Sequence, residues 1–201
     1  MSDDSPVRRR RRNPEQTRKA IVDALLSAMK ERQAIPTAKD IAARAGVSER
    51  SVFVHFAGLD DLSAAATDAQ SEYVESLVAT VDPALPLDER IAAVVAQSAE
   101  IFAAQRHPRL YGLMESNTMP AVDTRMRLTD KRIREALARV FEPELTRDGA
   151  ADGELLDLIE ATAGWAFRHH LMDRRGLSQQ AASRAITRAL RALFADNASR
   201  D

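Results

Sequence analysis

The sequence predicts an all-α chain of about nine helices, and three observations carry that prediction. Ala, Leu and Arg are abundant while glycine occurs only 7 times in 201 residues, a bias toward side chains that lose little freedom in a helix. Between breakers, apolar residues recur at spacings of three and four, the mark of an amphipathic helix. No stretch alternates apolar with polar residues as a half-buried strand would.

The elements follow in order. Residues 1–12 read as a disordered basic arm: a polar, proline-containing start, then the unbroken run Arg8, Arg9, Arg10, Arg11 and Arg12. Asn13 is placed to cap a first helix, with Pro14 at its first position and Ile21, Leu25, Leu26 and Met29 on one stripe. Thr37 caps a short second helix from Ala38 to about Arg44, Gly46 breaks it, and Ser48 caps a third from Glu49 to Phe56. A joint at Ala57-Gly58 precedes a fourth helix, capped by Asp60 and reaching about Val81. Pro83 and Pro86 interrupt the chain. Helical patterns resume at 87–105, 108–115, 121–141, 154–174 and 178–196. The domain boundaries expected are therefore 1–12, 13–58 and 59–201.

Composition excludes several function classes. With no cysteine there is no disulfide, thiolate metal site or thiol nucleophile. No apolar run approaches the ~20 residues of a membrane span. The basic N-terminal run leads into no apolar stretch of the kind a secretory signal has. A cytoplasmic protein that makes no membrane contact is expected. No Gly-rich phosphate loop, Gly-x-Ser-x-Gly elbow or His-Glu-x-x-His motif is present. His169 and His170 are adjacent, so on a helix they diverge by about 100° and cannot share one metal. The expectation is a non-enzyme with no cofactor and no metal.

Charge separates two parts. Residues 1–58 hold 12 Lys/Arg against 7 Asp/Glu, whereas residues 59–201 hold 17 against 23. A basic module joined to an acidic body suits a polyanion partner for the first. The stretch Thr37 to Phe56 supplies the means: two short capped helices about a glycine turn make a helix-turn-helix. Ala42 is small where the helices cross, Gly46 can adopt a left-handed backbone, and Ile41, Val47 and Val52 face Ile21 and Leu25. The outward face of Glu49–His55 is left free for a DNA major groove.

Asp40-Ile41-Ala42-Ala43-Arg44-Ala45-Gly46-Val47-Ser48 through Ser51-Val52-Phe53-Val54-His55-Phe56 resembles the N-terminal domain of the TetR family of transcriptional regulators. The resemblance implies an N-terminal three-helix DNA-binding domain and a C-terminal helical domain for ligand binding and dimerisation. It implies a homodimer on a palindromic double-stranded DNA operator, acting as a repressor released by an apolar or amphipathic small-molecule effector. Thr37, Ser48, Glu49, Arg50, Ser51, Phe53 and His55 would meet DNA, with Arg8–Arg12 on flanking phosphates or in the minor groove. Two departures weaken phosphate anchoring: Phe53 stands where the family often has Tyr, and Leu59 where it often has Lys.

In the acidic body, Phe102, Leu110, Tyr111, Leu113, Met114, Met119, Met126, Phe141 and Trp165 offer large adaptable apolar surface. Trp165, Met114, Tyr111, Phe102, Leu110, Met126 and His169 are the expected ligand contacts. His107, Asn117, His169 and Arg168 could orient a polar group. The last two predicted helices carry apolar stripes suited to a subunit interface: Leu158, Thr162 and Ala166 on one, Ala182, Ile186, Ala189 and Leu193 on the other.

Overall fold

The computed structural model describes residues 13–31, 36–147 and 150–198. Its contacts divide the chain into two units, Met1–Ala66 and Thr67–Asp201. The division falls inside a helix rather than at its head, where the sequence had suggested a boundary.

The first unit contains α1 (Pro14–Lys30), α2 (Ala38–Ala45), α3 (Glu49–His55) and the beginning of α4 (Leu59–Ser76). Asn13 accepts from the Glu15 amide and Pro14 occupies the first turn, so α1 starts where its unpaired N–H groups are met or missing. Ile21, Leu25 and Met29 are buried together with Ile41, Val52 and Phe56. Each fully buried side chain of this size contributes about 1.5–3 kcal/mol relative to exposure. Two polar ties hold the helices in register. Arg44 on α2 makes a two-pronged ion pair with Glu31 at the end of α1 (2.5 and 2.8 Å). Arg18 on α1 donates to the His55 carbonyl at 2.7 Å, with its guanidinium 4.1 Å from the Phe56 ring centroid.

Helix α4 begins at Leu59, so Asp60 lies in the first turn rather than at the cap. Asp61 instead accepts from the Ala57 amide at 3.1 Å.

The second unit packs α5 (Leu87–Gln105), α6 (Pro108–Glu115), α7 (Pro120–Val140), α8 (Glu142–Leu145), α9 (Gly153–Ala163), α10 (Trp165–His169) and α11 (Gln179–Ala198). Eleven α-helical segments are thus present among the described residues, against about nine expected. One addition is the single-turn α8. The other arises at Gly164, which splits the expected 154–174 helix into α9, α10 and a π-helical turn, His170–Arg174. A Cβ at Gly164 would lie 2.6 Å from the Glu160 carbonyl oxygen, so only glycine lets the chain turn this close to the preceding helix. A two-residue antiparallel ladder, β1 (Thr146–Arg147) with β2 (Ala150–Ala151), pairs Thr146 with Ala151. Alternation needs about four or more residues to register, so a ladder this short leaves no pattern.

The core of this unit gathers Ile91 and Val95 of α5, Leu137 and Val140 of α7, Leu155 and Ile159 of α9, and Ile186, Leu190 and Phe194 of α11. Here the sequence reading is corrected. Ala182 and Ile186, expected at a subunit interface, are fully buried within the single chain and have no surface left for a partner. Leu193 is partly buried against the same core. An apolar stripe says only that something covers it, and here the chain's own α5 and α9 do so.

Ion pairs tie the outer helices. Arg90, 4% exposed, pairs both Nη groups with Glu144 and also donates to the Leu85 and Val140 carbonyls. Glu75 of α4 meets Arg125, Thr129 and Arg132 of α7.

Two outcomes follow from this packing. Ile186→Ala should cost about 2–5 kcal/mol by leaving a cavity in the core, read as a lower urea midpoint at unchanged slope. Burial pushes the Glu75 carboxyl up, but hydrogen bonds from Arg125, Thr129 and Arg132 outweigh it and hold it below the usual glutamate value. Its stabilising contribution is therefore complete above the unfolded-state pKa of about 4.3 and is lost as pH falls through the lower folded value. Glu75→Gln should reduce stability at pH 7 and flatten its acid decline between about pH 5 and 3; an unchanged acid limb in urea titrations would count against this network.

Candidate nucleic-acid interface and ligand cavity

The first site lies on α3. Thr37 and Asp40 cap each other reciprocally: the Asp40 amide donates to the Thr37 hydroxyl, and the Thr37 amide and hydroxyl donate to the Asp40 carboxylate (3.0 and 2.6 Å). Those bonds from Thr37 hold the Asp40 carboxyl below its ordinary value, so the cap is charged at neutral pH. Gly46 ends α2 in the left-handed region (φ 66°, ψ 38°), which turns the chain sharply at no steric cost. Ser48 then accepts from the Ser51 amide at 3.1 Å and starts α3. Val52 is the one α3 residue fully buried, and it anchors the helix to the unit.

Around that anchor the rest of α3 is open. Glu49 and Arg50 are exposed and Ser51 is half-buried. Phe53 is 50% and Val54 71% exposed. These two bulky apolar side chains stand side by side in solvent on a seven-residue helix. Among the described residues neither Glu49 nor Arg50 has an ion-pair partner. His55 is half-buried, and its carbonyl is taken by Arg18. The hydroxyls of Thr37 and Ser48 are engaged in caps, so these two residues shape the turn whether or not they touch DNA. Arg8–Arg12 lie outside the described residues.

The second site is a cavity of about 430 Å³ in the second unit, within the roughly 300–1,000 Å³ range of small-molecule sites. Helix α5 contributes Val94, Ser98, Ile101, Phe102 and Gln105; α6 contributes Arg109 and Leu113. From α7 come Asp130, Ile133 and Leu137, and from the α9–α10 corner Asp157, Glu160, Gly164 and Trp165. Of the seven expected ligand contacts, Phe102 and Trp165 line it, with ring centroids 6.2 Å apart.

The other five do not. Met114 is 64% exposed, pointing away from the cavity. Leu110 and Tyr111 are half-buried elsewhere on α6. Met126 instead packs against Gly112, where a Cβ would lie 2.6 Å from its sulfur. His169 stands outside the lining, its ring stacked on the Trp165 indole at 4.5 Å and its Nδ1 2.8 Å from Asp173. Asp173 is also held by Arg106. Burial pushes its carboxyl up, but the Arg106 and His169 contacts prevail and keep it below the usual range.

The cavity's polar members were not foreseen. Ser98 and Gln105 sit on the α5 stripe that Ile91, Val94, Ile101 and Phe102 otherwise keep apolar, and two polar residues breaking an apolar stripe were the available signal. Gln105 is 6% exposed. Arg109 pairs both Nη groups with Asp130 at 2.8 Å and lies 5.8 Å from the Trp165 ring centroid. Asp157 and Glu160 share Arg134. Leu158 on α9 (45% exposed) and Ala166 on α10 are exposed, with Ala166 also at the cavity lining, and Thr162 on α9 is half-buried. Ala189 is half-buried on α11.

The chain thus joins a capped helix-turn-helix with an open second helix to a helical unit around a cavity. No protein-family model matches the sequence, and no curated protein matches it. Solved structures do. A transcriptional regulator from Rhodococcus sp. Rha1 aligns over 92% of this chain and 97% of its own, with a TM-score of 0.69 at 19% identity. A TetR-family transcriptional regulator from Streptomyces coelicolor aligns over 93% and 84%, with a TM-score of 0.68 at 17% identity. The TetR-like regulator LfrR from Mycobacterium smegmatis, in complex with proflavine, aligns over 88% and 94%, with a TM-score of 0.58 at 22% identity. The chain therefore has a TetR-like fold.

Proposed function

We propose that this chain is a sequence-specific DNA-binding transcriptional regulator of the TetR type, a homodimer that represses from a palindromic operator and is released by a small apolar or amphipathic ligand. The observation that carries the reading is the outward face of α3. Glu49, Arg50, Phe53 and Val54 are exposed on a helix that caps and a glycine turn hold in one orientation. Sequence is read by side chains on such a face, with Arg50 suited to a guanine edge and Phe53 or Val54 to a thymine methyl. Arg8–Arg12 add sequence-independent attraction to phosphates.

Two reading heads on a two-fold axis need a dimer, and the exposed Leu158 and Ala166 with the half-buried Thr162, Ala189 and Leu193 are proposed to form it. Ala182 and Ile186 are no longer part of that face. LfrR, which shares this fold, is in complex with proflavine, and this supports a small-molecule ligand for this chain. Helix α4 belongs to both units and is the covalent route for coupling. Release requires only that the ligand bind the DNA-incompetent state more tightly. Among the described residues no helix is long and apolar enough to cross a membrane.

Two experiments test the reading. DNA fragments flanking the protein's own gene should be retarded in gels in a salt-sensitive manner. Arg50→Ala should weaken the specific complex by about 1–3 kcal/mol while leaving helix content unchanged; wild-type-like affinity removes α3 from recognition. Leu158→Glu should yield folded monomers by sedimentation that no longer bind the operator fragment. Persistent dimers would show that the interface lies elsewhere.

A further inference from the structure

The second unit buries two guanidinium groups, and their surroundings differ. Arg90 meets a carboxylate: both its Nη groups reach Glu144, and Nη1 and Nε also find carbonyls. Arg168 of α10 is 0% exposed and meets only neutral acceptors. Its Nη2 donates to the Val95 carbonyl (3.2 Å) and the Ser98 hydroxyl (2.7 Å), and its Nη1 to the Ser183 hydroxyl (3.2 Å). Its Nε has no acceptor, and no carboxylate pairs with it among the described residues. Desolvation alone acts on it, pushing its pKa down. A buried charge without a counter-ion is strongly disfavoured unless something offsets it.

That cation stands directly behind the cavity. Ser98, which receives its shortest hydrogen bond, is part of the lining. Trp165, three residues before Arg168 on α10, is also part of the lining, and its Nε1 is a second buried donor with no acceptor. The acidic groups around the cavity meet other guanidinium groups, not Arg168. Asp130 is closed by Arg109 through both oxygens, and Asp157 and Glu160 both lean on Arg134. The α10 wall is left with donors in excess and one positive charge without a counter-charge.

We infer that the cavity takes an amphiphile with an anionic head, seated at Ser98 with its apolar body along Ile101, Phe102, Leu137 and Trp165. The inference deepens the regulator reading and rests on it for the ligand's biological role. The Ser98 hydroxyl accepts from Arg168 and now gives its own hydrogen to the Val95 carbonyl at 3.2 Å. Rotation about its C–O bond turns that hydrogen to a carboxylate, so the guanidinium polarises the very group that binds the head. A cationic head at the same place would be repelled. Arg168 thus acts through Ser98, as a positioning residue.

The test uses the full-length protein and matched ten-carbon probes: decanoate, decylammonium and uncharged decanol, each below its micellar concentration. Trp165 is the only tryptophan in the chain, so its fluorescence reports the cavity directly. Decanoate should bind at least about tenfold more tightly than decylammonium or decanol, the scale of a charge-assisted hydrogen bond. Ser98→Ala should bring the three affinities together, and Arg168→Met should do the same. Where Arg168→Met does not fold, Ser98→Ala decides the matter, since removing one hydroxyl leaves the apolar wall intact. Equal or tighter binding of decylammonium, no binding of any probe, or an undiminished decanoate preference in Ser98→Ala overturns the inference. DNA retardation on the same samples separates the two claims: lost DNA binding with decanoate selectivity intact removes the regulator reading and leaves the ligand class standing.

Discussion

The second unit depends on the burial of one stripe of α11. Ala182, Ile186, Leu190 and Phe194 lie one turn apart, and none is more than 5% exposed. Covering that stripe requires α5 and α9 to lie against it, and their own stripes then run on beyond it. On α5, Ile91 and Val95 enter the core, while Ser98, Phe102 and Gln105 further along the helix line the cavity. Val94, Leu137, Val140 and Ala163 belong to both core and cavity wall. Core and cavity are therefore one apolar region, packed at the α11 end and unfilled near α6 and α10. A site built this way inherits rigidity from the core beside it, because close-packed interiors do not deform continuously.

Electrostatics then distinguish the two ends of that region. At the packed end, the buried Arg90 is neutralised by Glu144, and the Phe141 ring lies 5.8 Å from its guanidinium. At the open end, Arg168 rests on hydroxyls and a carbonyl. A chain that can supply Glu144 to one buried guanidinium shows that pairing is accessible to this fold. Leaving the other unpaired costs stability, and proteins concentrate such costs at functional sites. Stacking of His169 on Trp165, with Asp173 and Arg106 behind it, fixes the indole in the cavity wall.

How much was legible in the sequence depended on how local the signal was. The helix-turn-helix was readable almost residue by residue. Thr37, Gly46 and Ser48 act on amides within four positions of themselves, and capping chemistry is indifferent to the rest of the fold. The cavity was readable only in part. Phe102 and Trp165 were found as large apolar groups, but which face of α6 turns inward depends on α7, so Leu110, Tyr111 and Met114 could not be told from Leu113. Arg109 and Asp130 escaped because twenty-one positions separate two groups that meet only after folding. The α11 stripe was recognised as a buried face and assigned to the wrong cover. Periodicity reports that Ile186 is covered and carries no information on whether the cover is α5 or a second chain.

Helix α4 carries attachments in both units, and under the proposed function this bears on how the chain responds. Its first turns, in the first unit, bury Leu62 and Ala66 completely, and Asp61 caps the preceding loop. Its later turns, in the second unit, bury Val74 and are also tied to α7 by polar bonds: Glu75 to Arg125, Thr129 and Arg132, and Asp68 to Arg125 at 3.3 Å. Gln70 adds a bond to the Ala104 carbonyl, one residue from Gln105 of the cavity wall. Polar networks of this kind can repack into a second discrete arrangement. Under the proposed function, a ligand that shifts the end of α5 at Ala104–Gln105 would act first on the polar attachments. Coupling under this reading runs through the Gln70 bond, which joins α4 to the residue beside the cavity wall.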